Sequence, residues 1–170
     1  MPRYDFHTDV LPLKNLLYRT ALRIAQNAAD AEDVVQDTML RVWHHREEWD
    51  RIDSMEAYCL TICRNIALDR LRRMDHQAAT LDSSIAEPPD PSHSANPEEQ
   101  AVQNDRIALV RRLISRLPEK QRSCMQLRDL ESKSYRDIAT VLGITEEQVK
   151  INIFRARKTV REQLLRTEGK

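Results

Sequence analysis

Glycine is almost absent from this chain, since its 170 residues include only Gly143 and Gly169. Tight β-hairpin turns favour glycine, and phosphate-binding loops need several glycines close together. The sequence therefore argues against a β-rich fold and excludes a P-loop or Rossmann enzyme. Because the chain is also rich in Leu, Arg, Ala, Glu and Ile and only 5% aromatic, it predicts an all-α protein.

The net charge of zero conceals a strong segregation of charge along the chain. Residues 1–73 carry 11 basic and 12 acidic side chains, whereas residues 74–105 carry seven acidic and no basic ones. Residues 106–170 carry 16 basic and 8 acidic side chains, a net charge of +8. An excess of this size indicates a polyanionic partner for the C-terminal part, although a merely soluble basic domain would have the same charge.

A proline-rich acidic stretch divides the chain into two helical blocks. Four of the seven prolines lie between Glu87 and Pro97, among Asp, Ser, Ala and Glu residues that show no apolar period. Such a stretch, roughly 75–98, is typical of an extended linker. The sequence therefore predicts a helical domain at 1–74, a flexible acidic linker at 75–100 and a second helical domain at 101–170.

Apolar residues at helical spacing predict three helices in the first domain. The second helix is predicted to run from an N-cap at Asp30 to His45, and the third from about Ser54 to Arg73, with a polar stretch at 46–53 between them. The apolar stripes are Leu13, Leu17, Ala21 and Ile24 in the first helix, Ala31, Val35, Met39 and Val42 in the second, and Cys59, Ile62, Cys63, Ile66, Ala67 and Leu71 in the third. The second helix has surplus apolar residues outside its stripe, and the third has a polar face that ordinarily would only be solvated.

The three cysteines, Cys59, Cys63 and Cys124, favour a reducing, cytoplasmic environment, because an odd count without a signal peptide does not suit a disulfide framework. Cys59 and Cys63 lie one helical turn apart, which would suit a metal pair, but no further ligand stands at a suitable spacing. Burial is the favoured interpretation for both, and no metal site is predicted. No stretch is long and apolar enough to span a bilayer.

The second domain contains a pattern typical of a helix-turn-helix. Ser134 is predicted to cap a short helix ending at Leu142, Gly143 to form a left-handed C-cap, and Thr145 with Gln148 to form a capping box. The inner stripe of the following helix is Val149, Ile153, Ala156 and Val160. Glycine turns also join helices in ordinary bundles, but residues 150–161 carry five basic and no acidic side chains, the profile of a helix that binds DNA.

With these motifs in place, the chain resembles the extracytoplasmic-function (ECF) group of bacterial RNA polymerase sigma factors. The sequence DAEDVVQDTMLRVW at 30–43 resembles sigma region 2.2, and AYCLTICRNIALDRLRR at 57–73 resembles regions 2.3–2.4. The segment at 116–158 resembles region 4, which ends in a helix-turn-helix. The resemblance implies a protein that binds core RNA polymerase and directs initiation at promoters by recognising their −10 and −35 elements.

The resemblance, together with the exposed residue types, predicts three sets of site residues. The set for core polymerase is Asp33, Gln36, Asp37, Leu40, Arg41 and Trp43. The set for the −10 element is Asp50, Arg51, Asp53, Ser54, Tyr58, Thr61, Arg64, Asn65, Asp69, Arg72 and Arg73. The set for the −35 element is Thr145, Glu146, Gln148, Lys150, Asn152, Arg155, Arg157 and Lys158.

Two other functions remain to be weighed against a sigma factor. A helix-turn-helix regulator acting without core polymerase would not need the 30–43 block. An enzyme is not indicated, because the sequence offers no catalytic constellation and no cofactor motif. The expected partners are core polymerase, promoter DNA and an anti-sigma factor, which in this group is often membrane-bound; no small-molecule substrate is expected.

Overall fold

A computed structural model of the protein describes residues 2–78 and 97–169, and every regular element in these ranges is helical. The chain divides into two compact units, Met1–Asp90 and Pro91–Lys170. The all-α fold with two helical domains is therefore confirmed. The α-helices are α1 (Lys14–Ala25), α2 (Ala28–His44), α3 (Met55–Ala78), α4 (Pro97–Ser115), α5 (Glu119–Met125), α6 (Tyr135–Leu142) and α7 (Glu146–Glu168).

The core of the first domain lies where α1, α2 and α3 pack against one another. The predicted stripes supply most of it, including Leu17, Ala21, Val42, Cys59 and Cys63. The buried face of α2 is wider than one stripe, because the helix contacts both α1 and α3. The additional buried residues of α2 are Val34 and Thr38.

The start of α2 differs from the prediction. Its N-cap is Asn27, whose side-chain oxygen accepts a hydrogen bond from the backbone N–H of Asp30 at 3.0 Å. Gln26 ends α1 in the left-handed conformation with φ 56°, and Asn27 then returns the backbone to an extended conformation. Asp30 is therefore not the cap but lies in the first turn, where its carboxylate faces the positive end of the helix dipole.

Helices extend into both ends of the segment predicted to be a linker, residues 75–100. Residues 75–78 continue α3, because nothing in this stretch breaks a helix, and α4 begins at Pro97, where proline is favoured as the first helical residue. The polar stretch at 46–53 contains the 3₁₀ segment Arg46–Arg51. The central part of the predicted linker, residues 79–96, lies outside the described residues.

An N-terminal segment that the sequence pattern does not predict completes the first domain. Asp5 accepts hydrogen bonds from the backbone N–H groups of His7 and Thr8, at 2.9 and 3.1 Å, and so caps the π-helical turn Phe6–Val10. A short 3₁₀ turn, Leu11–Leu13, then leads into α1. Val10 is fully buried, so this segment belongs to the core structure.

The second domain packs α4, α5 and α6 against α7. One apolar cluster joins α4 to the later turns of α7, and it includes Leu113, Leu117, Ala156 and Val160. The predicted inner stripe of α7 is buried along its whole length. Among the described residues, none of the helices combines the length and the apolar composition needed to cross a membrane.

Candidate protein and nucleic-acid interfaces

The face of α2 that points away from the core carries all of the side chains predicted to contact polymerase. Each of them is exposed, and they are Asp33, Gln36, Asp37, Leu40, Arg41 and Trp43. Leu40 is 58% exposed and Trp43 is 43% exposed. Carboxylates beside large accessible apolar groups give this helix a mixed acidic and apolar surface, and tryptophan is a residue type that often dominates protein interfaces.

Trp43 is held between aromatic and cationic neighbours. The Phe6 ring meets it edge-on with centroids 5.4 Å apart, and the Arg46 guanidinium lies 4.5 Å from the centre of its ring. The Trp49 ring lies 6.4 Å from it, also edge-on. A groove runs beside this cluster between the N-terminal segment and α2, with Tyr4, Phe6, Leu40 and Trp43 in its lining. Sequence reasoning missed Phe6, because the N-terminal segment has no helical period.

The acidic edge of α2 is linked to α3. Arg70 donates to Asp33 across a distance of 3.5 Å, and both side chains are substantially accessible to solvent. An exposed pair of this kind contributes little to stability. Asp37 lies one turn further along the same face. The carboxylates of Asp33 and Asp37 therefore remain at the surface of the helix.

Hydrogen bonds from two aromatic side chains, Trp49 and Tyr4, fix the segment between α2 and α3. Trp49 is buried and its indole Nε1 donates to the backbone oxygen of Val42 at 3.1 Å. The Tyr4 hydroxyl donates to the backbone oxygens of Ile52 and Asp53, at 3.2 and 2.8 Å. These bonds hold the loop before α3, so that the side chains of Asp50, Arg51 and Asp53 are exposed.

Of the residues predicted for the −10 element, Ser54, Tyr58 and Thr61 are half-buried. The Ser54 hydroxyl oxygen accepts from the backbone N–H of Ala57 at 3.2 Å, and the Thr61 hydroxyl donates to the Ala57 oxygen at 2.7 Å. Burial raises the pKa of Tyr58, and the charge of nearby Glu48 raises it further. Tyr58 is thus the aromatic side chain of this surface that remains partly accessible, whereas Trp49 is a core residue.

The remaining predicted −10 residues form a polar surface along α3. Asn65, Asp69, Arg72 and Arg73 are exposed, and Arg64 is half-buried. Arg72 and Asp69 lie 3.9 Å apart at i, i+3 spacing. The arrangement presents an amide with both a donor and an acceptor, followed by two guanidinium groups about two turns later, which is chemistry suited to bases and phosphates respectively.

The helix-turn-helix has the geometry that its sequence predicts. Ser134 caps α6, and Gly143 ends it in the left-handed conformation with φ 66°. Thr145 and Gln148 form a reciprocal capping box at the start of α7, with hydrogen bonds of 3.0 and 3.1 Å. An additional left-handed residue, Ser132 with φ 56°, forms the turn before α6.

The cations predicted on α7 divide into two groups. Lys150, Arg155 and Lys158 are exposed. Arg157 is exposed as well, but it makes a two-point ion pair with Asp129, one bond of which is 3.0 Å, and this hydrogen bonding raises the pKa of Arg157. Arg157 therefore fixes α7 to the turn that follows α5, and much of its charge is offset locally.

The polar side chains near the start of α7 that are predicted to contact the −35 element also make contacts within the helix. The side-chain oxygen of Gln148 accepts from the Thr145 N–H, and Asn152 donates its side-chain amide to the Gln148 backbone oxygen at 2.8 Å. Lys150 lies 5.5 Å from the ring of Tyr135, whose other neighbour is Arg128 at 4.2 Å. Tyr135, the first residue of α6, therefore lies near one cation of α7 and one cation of the segment that follows α5.

The cysteines lie in the core, as predicted. Cys59, Cys63 and Cys124 are free thiols and all are buried. Burial raises the pKa of Cys59 to about 12 and that of Cys63 to about 11. Within the described residues, no three His, Cys, Asp or Glu side chains are grouped in a way that would bind a metal ion.

Comparison with known proteins identifies the family. The family model for Sigma-70 region 2 matches residues 10–77, and the model for Sigma-70 region 4 matches residues 107–160. The chain is 33% identical over 159 residues to the ECF RNA polymerase sigma factor SigL of Mycobacterium tuberculosis, and the alignment covers 93% of this chain and 84% of SigL. The chain belongs to the ECF RNA polymerase sigma factors.

Two further comparisons extend this result. The sigma factor is 32% identical over 159 residues to a probable RNA polymerase sigma factor, RfaY of Xanthomonas campestris, covering 92% of this chain but only 39% of that relative's length. Its fold is similar to that of the sigma factor RpoE of Bartonella quintana, solved in complex with the anti-sigma factor NepR. That similarity has a TM-score of 0.72 at 24% identity and covers 95% of this chain and 97% of the other.

Membership of this family decides between the functions weighed from the sequence. A sigma factor binds core RNA polymerase and promoter DNA and initiates transcription, so a helix-turn-helix regulator acting without polymerase is not favoured. Sigma factors are non-enzymatic initiation factors. The match to region 2 includes α2 and α3, and the match to region 4 includes the helix-turn-helix.

Proposed function

We propose that this sigma factor binds core polymerase through the outer face of α2 and reads its promoters through α3 and α7. The observation that carries the proposal is the exposure of Leu40 and Trp43 beside Asp33 and Asp37. Two large apolar side chains on the outside of a domain core are disposed for burial against a partner, and the flanking carboxylates favour a basic partner surface.

The polymerase contact is tested with a double variant, Trp43→Ala with Asp37→Arg. The variant removes the aromatic side chain and reverses one charge, so binding to purified core polymerase should fall below detection while the chain remains helical by circular dichroism. A matched control is Met74→Ala with Asp75→Arg, which makes the same kinds of change at exposed positions of α3. Wild-type affinity of the first variant for core polymerase refutes the assignment.

We further propose that the loop before α3 and the polar face of α3 recognise and open the −10 element. The exposed Asp53 side chain and the Asn65 amide can hydrogen-bond to the edges of an unstacked base, while Arg72 and Arg73 are placed for phosphates. Permanganate footprinting of thymines near the start site measures opening directly. Opening should fail with Asn65→Ala and Asp53→Ala combined, and should persist with the control Asn15→Ala on the exposed surface of α1. Normal opening by the double variant would mean that this face is only solvated.

For the −35 element, we propose that α7 lies in the major groove with its N-terminus toward the DNA. Lys150, Arg155 and Lys158 supply the exposed positive charge, and the capping box leaves the hydroxyl of Thr145 and the amide nitrogen of Gln148 available as donors. If Arg155 contacts a guanine with two hydrogen bonds, Arg155→Ala should cost about 1–3 kcal/mol at one base position. If it contacts a phosphate, binding should weaken evenly over all sequences.

The two outcomes are separated by measuring holoenzyme binding to duplexes with single changes in the −35 element at two salt concentrations. Arg166→Ala, an exposed arginine in the last turn of α7, is the control. If Arg155→Ala and Lys150→Ala together leave binding unchanged at both salt concentrations, α7 does not contact DNA.

We also propose that the chain acts in the cytoplasm and that an anti-sigma factor competes with polymerase for the face of α2. The support is the solved complex of the structurally similar RpoE with NepR and the exposed apolar groups of this helix. Competition is measured by titrating core polymerase against a purified complex of the sigma factor and its inhibitor. Simultaneous binding of both proteins would contradict the proposal.

A further inference from the structure

The outward face of α7 carries apolar side chains that the sequence pattern does not lead one to expect. Val149, Ile153 and Ala156 are buried and define the inner face. With 3.6 residues per turn, the opposite face carries Ile151 and Phe154. Ile151 is 48% exposed and Phe154 is 66% exposed. The outer face of α7 therefore carries two exposed apolar side chains among its charged ones.

These two side chains form one surface, because residues at i and i+3 are neighbours on a helix. Exposed cations lie next to them, with Lys150 before the pair, Arg155 beside it and Lys158 one turn beyond Phe154, while the exposed carboxylate of Glu147 lies one turn before Ile151. A single exposed apolar residue is ordinary, but an adjacent pair whose charged neighbours are mainly cations matches a partner that is itself anionic and has a small apolar feature. Duplex DNA has this combination, because the C5-methyl group of thymine projects into the major groove between the phosphate strands.

We propose that Ile151 and Phe154 read thymine methyl groups in the major groove and so help to determine the −35 preference of this sigma factor. The inference rests on the proposed placement of α7 at the −35 element. The hydrogen bonds of the nearby polar side chains agree with this proposal. Gln148 and Asn152 each use part of their side-chain amide in a hydrogen bond within the helix. Apolar contact with a methyl group needs no hydrogen-bonding capacity from the protein.

The test uses the difference between thymine and uracil, which is the C5-methyl group alone. The promoter bound by the holoenzyme is first found by selecting from a library of randomised −35 sequences, and each thymine in the selected element is then replaced by deoxyuridine. At one or two positions, replacement should weaken holoenzyme binding about fourfold, the effect of one methyl group leaving an apolar contact. The same replacement should have no effect on a holoenzyme carrying Ile151→Ala and Phe154→Ala.

Leu165→Ala is the matched control, because Leu165 is 63% exposed on α7 but lies about three turns beyond Phe154. The holoenzyme with this variant should keep its sensitivity to deoxyuridine. Equal binding of thymine and uracil duplexes at every position overturns the proposal, as does an element whose A·T pairs can all be replaced by G·C pairs without loss.

Two other outcomes are also informative. If the Ile151 and Phe154 variants weaken binding to core polymerase and leave DNA binding unchanged, the pair contacts protein and the proposal is wrong. If the Arg155→Ala and Lys150→Ala variant binds DNA normally, the placement of α7 fails as well. If the Arg155→Ala and Lys150→Ala variant binds DNA less tightly but replacing thymine by deoxyuridine has no effect, α7 contacts DNA and only the present inference is wrong.

Discussion

Leu40→Ala is a clean perturbation of the polymerase contact, because Leu40 lies mainly outside the domain core. The change removes three carbon atoms, which contribute about 2.4 kcal/mol when they pass from full exposure to full burial, at about 0.8 kcal/mol each. Since Leu40 is 58% exposed in the free protein, about 1.4 kcal/mol of this remains to be gained when a partner covers it. That free energy corresponds to a roughly tenfold higher Kd for core polymerase.

The assay is a titration of labelled sigma factor with purified core polymerase, read by fluorescence anisotropy. Met74→Ala is the control, because Met74 is 50% exposed in the same domain but lies on α3, and its Kd should stay within twofold of wild type. Circular dichroism should show equal helix content in all three proteins. A Kd for Leu40→Ala within twofold of wild type would show that polymerase does not cover this side chain.

Three further predictions concern the parts of the fold that position the interfaces. Gly143→Ala should destabilise the C-terminal domain by about 1 kcal/mol, because no atom crowds the added Cβ but φ is +66°, and Gly143→Asn should cost less in urea unfolding. Thr145→Ala should cost about 1 kcal/mol in the same assay, because it removes a side-chain cap of α7. Burial raises the pKa of Cys59 to about 12 and that of Cys63 to about 11 from 9.0, so the unfolded chain ionises first. The stability that the buried thiols confer should therefore be complete below pH 9 and fall as the pH rises above it. A Cys59→Ala, Cys63→Ala variant should lose less stability between pH 8 and pH 10.5 than wild type; an equal loss in both proteins would contradict this.

Local signals in the sequence were sufficient for the helix-turn-helix. Ser134 and Thr145 cap backbone groups three residues later, and Gly143 acts through its own positive φ and its bond to Ala139, so their roles could be predicted without knowledge of the tertiary fold. The apolar stripes were predicted for the same reason, because a period of 3.6 residues is a property of one helix. The resemblance to the sigma factor regions then supplied the assignment of each helix to a partner.

Contacts between segments distant in sequence could not be predicted in this way. The packing of Phe6 against Trp43 depends on an N-terminal turn that has no apolar period, and the pairing of Arg157 with Asp129 joins positions 28 residues apart. The cap at Asn27 was missed because Asp30 also suits a cap and stands closer to the apolar stripe. The inner stripe of α7 implies that Ile151 and Phe154 point outward, but how far each is exposed depends on packing that only the structure provides.

The central claim is that this chain gives core RNA polymerase its promoter specificity through two separate DNA-binding surfaces. The most direct measurement is transcription in vitro from a library of genomic fragments, with the start site of every transcript sequenced. With the wild-type chain, we expect starts that share two motifs at a fixed spacing, one near −10 and one near −35. With Lys150→Ala and Arg155→Ala, the −35 motif should be lost while the −10 motif remains. Start sites that are the same with and without the chain would contradict the account.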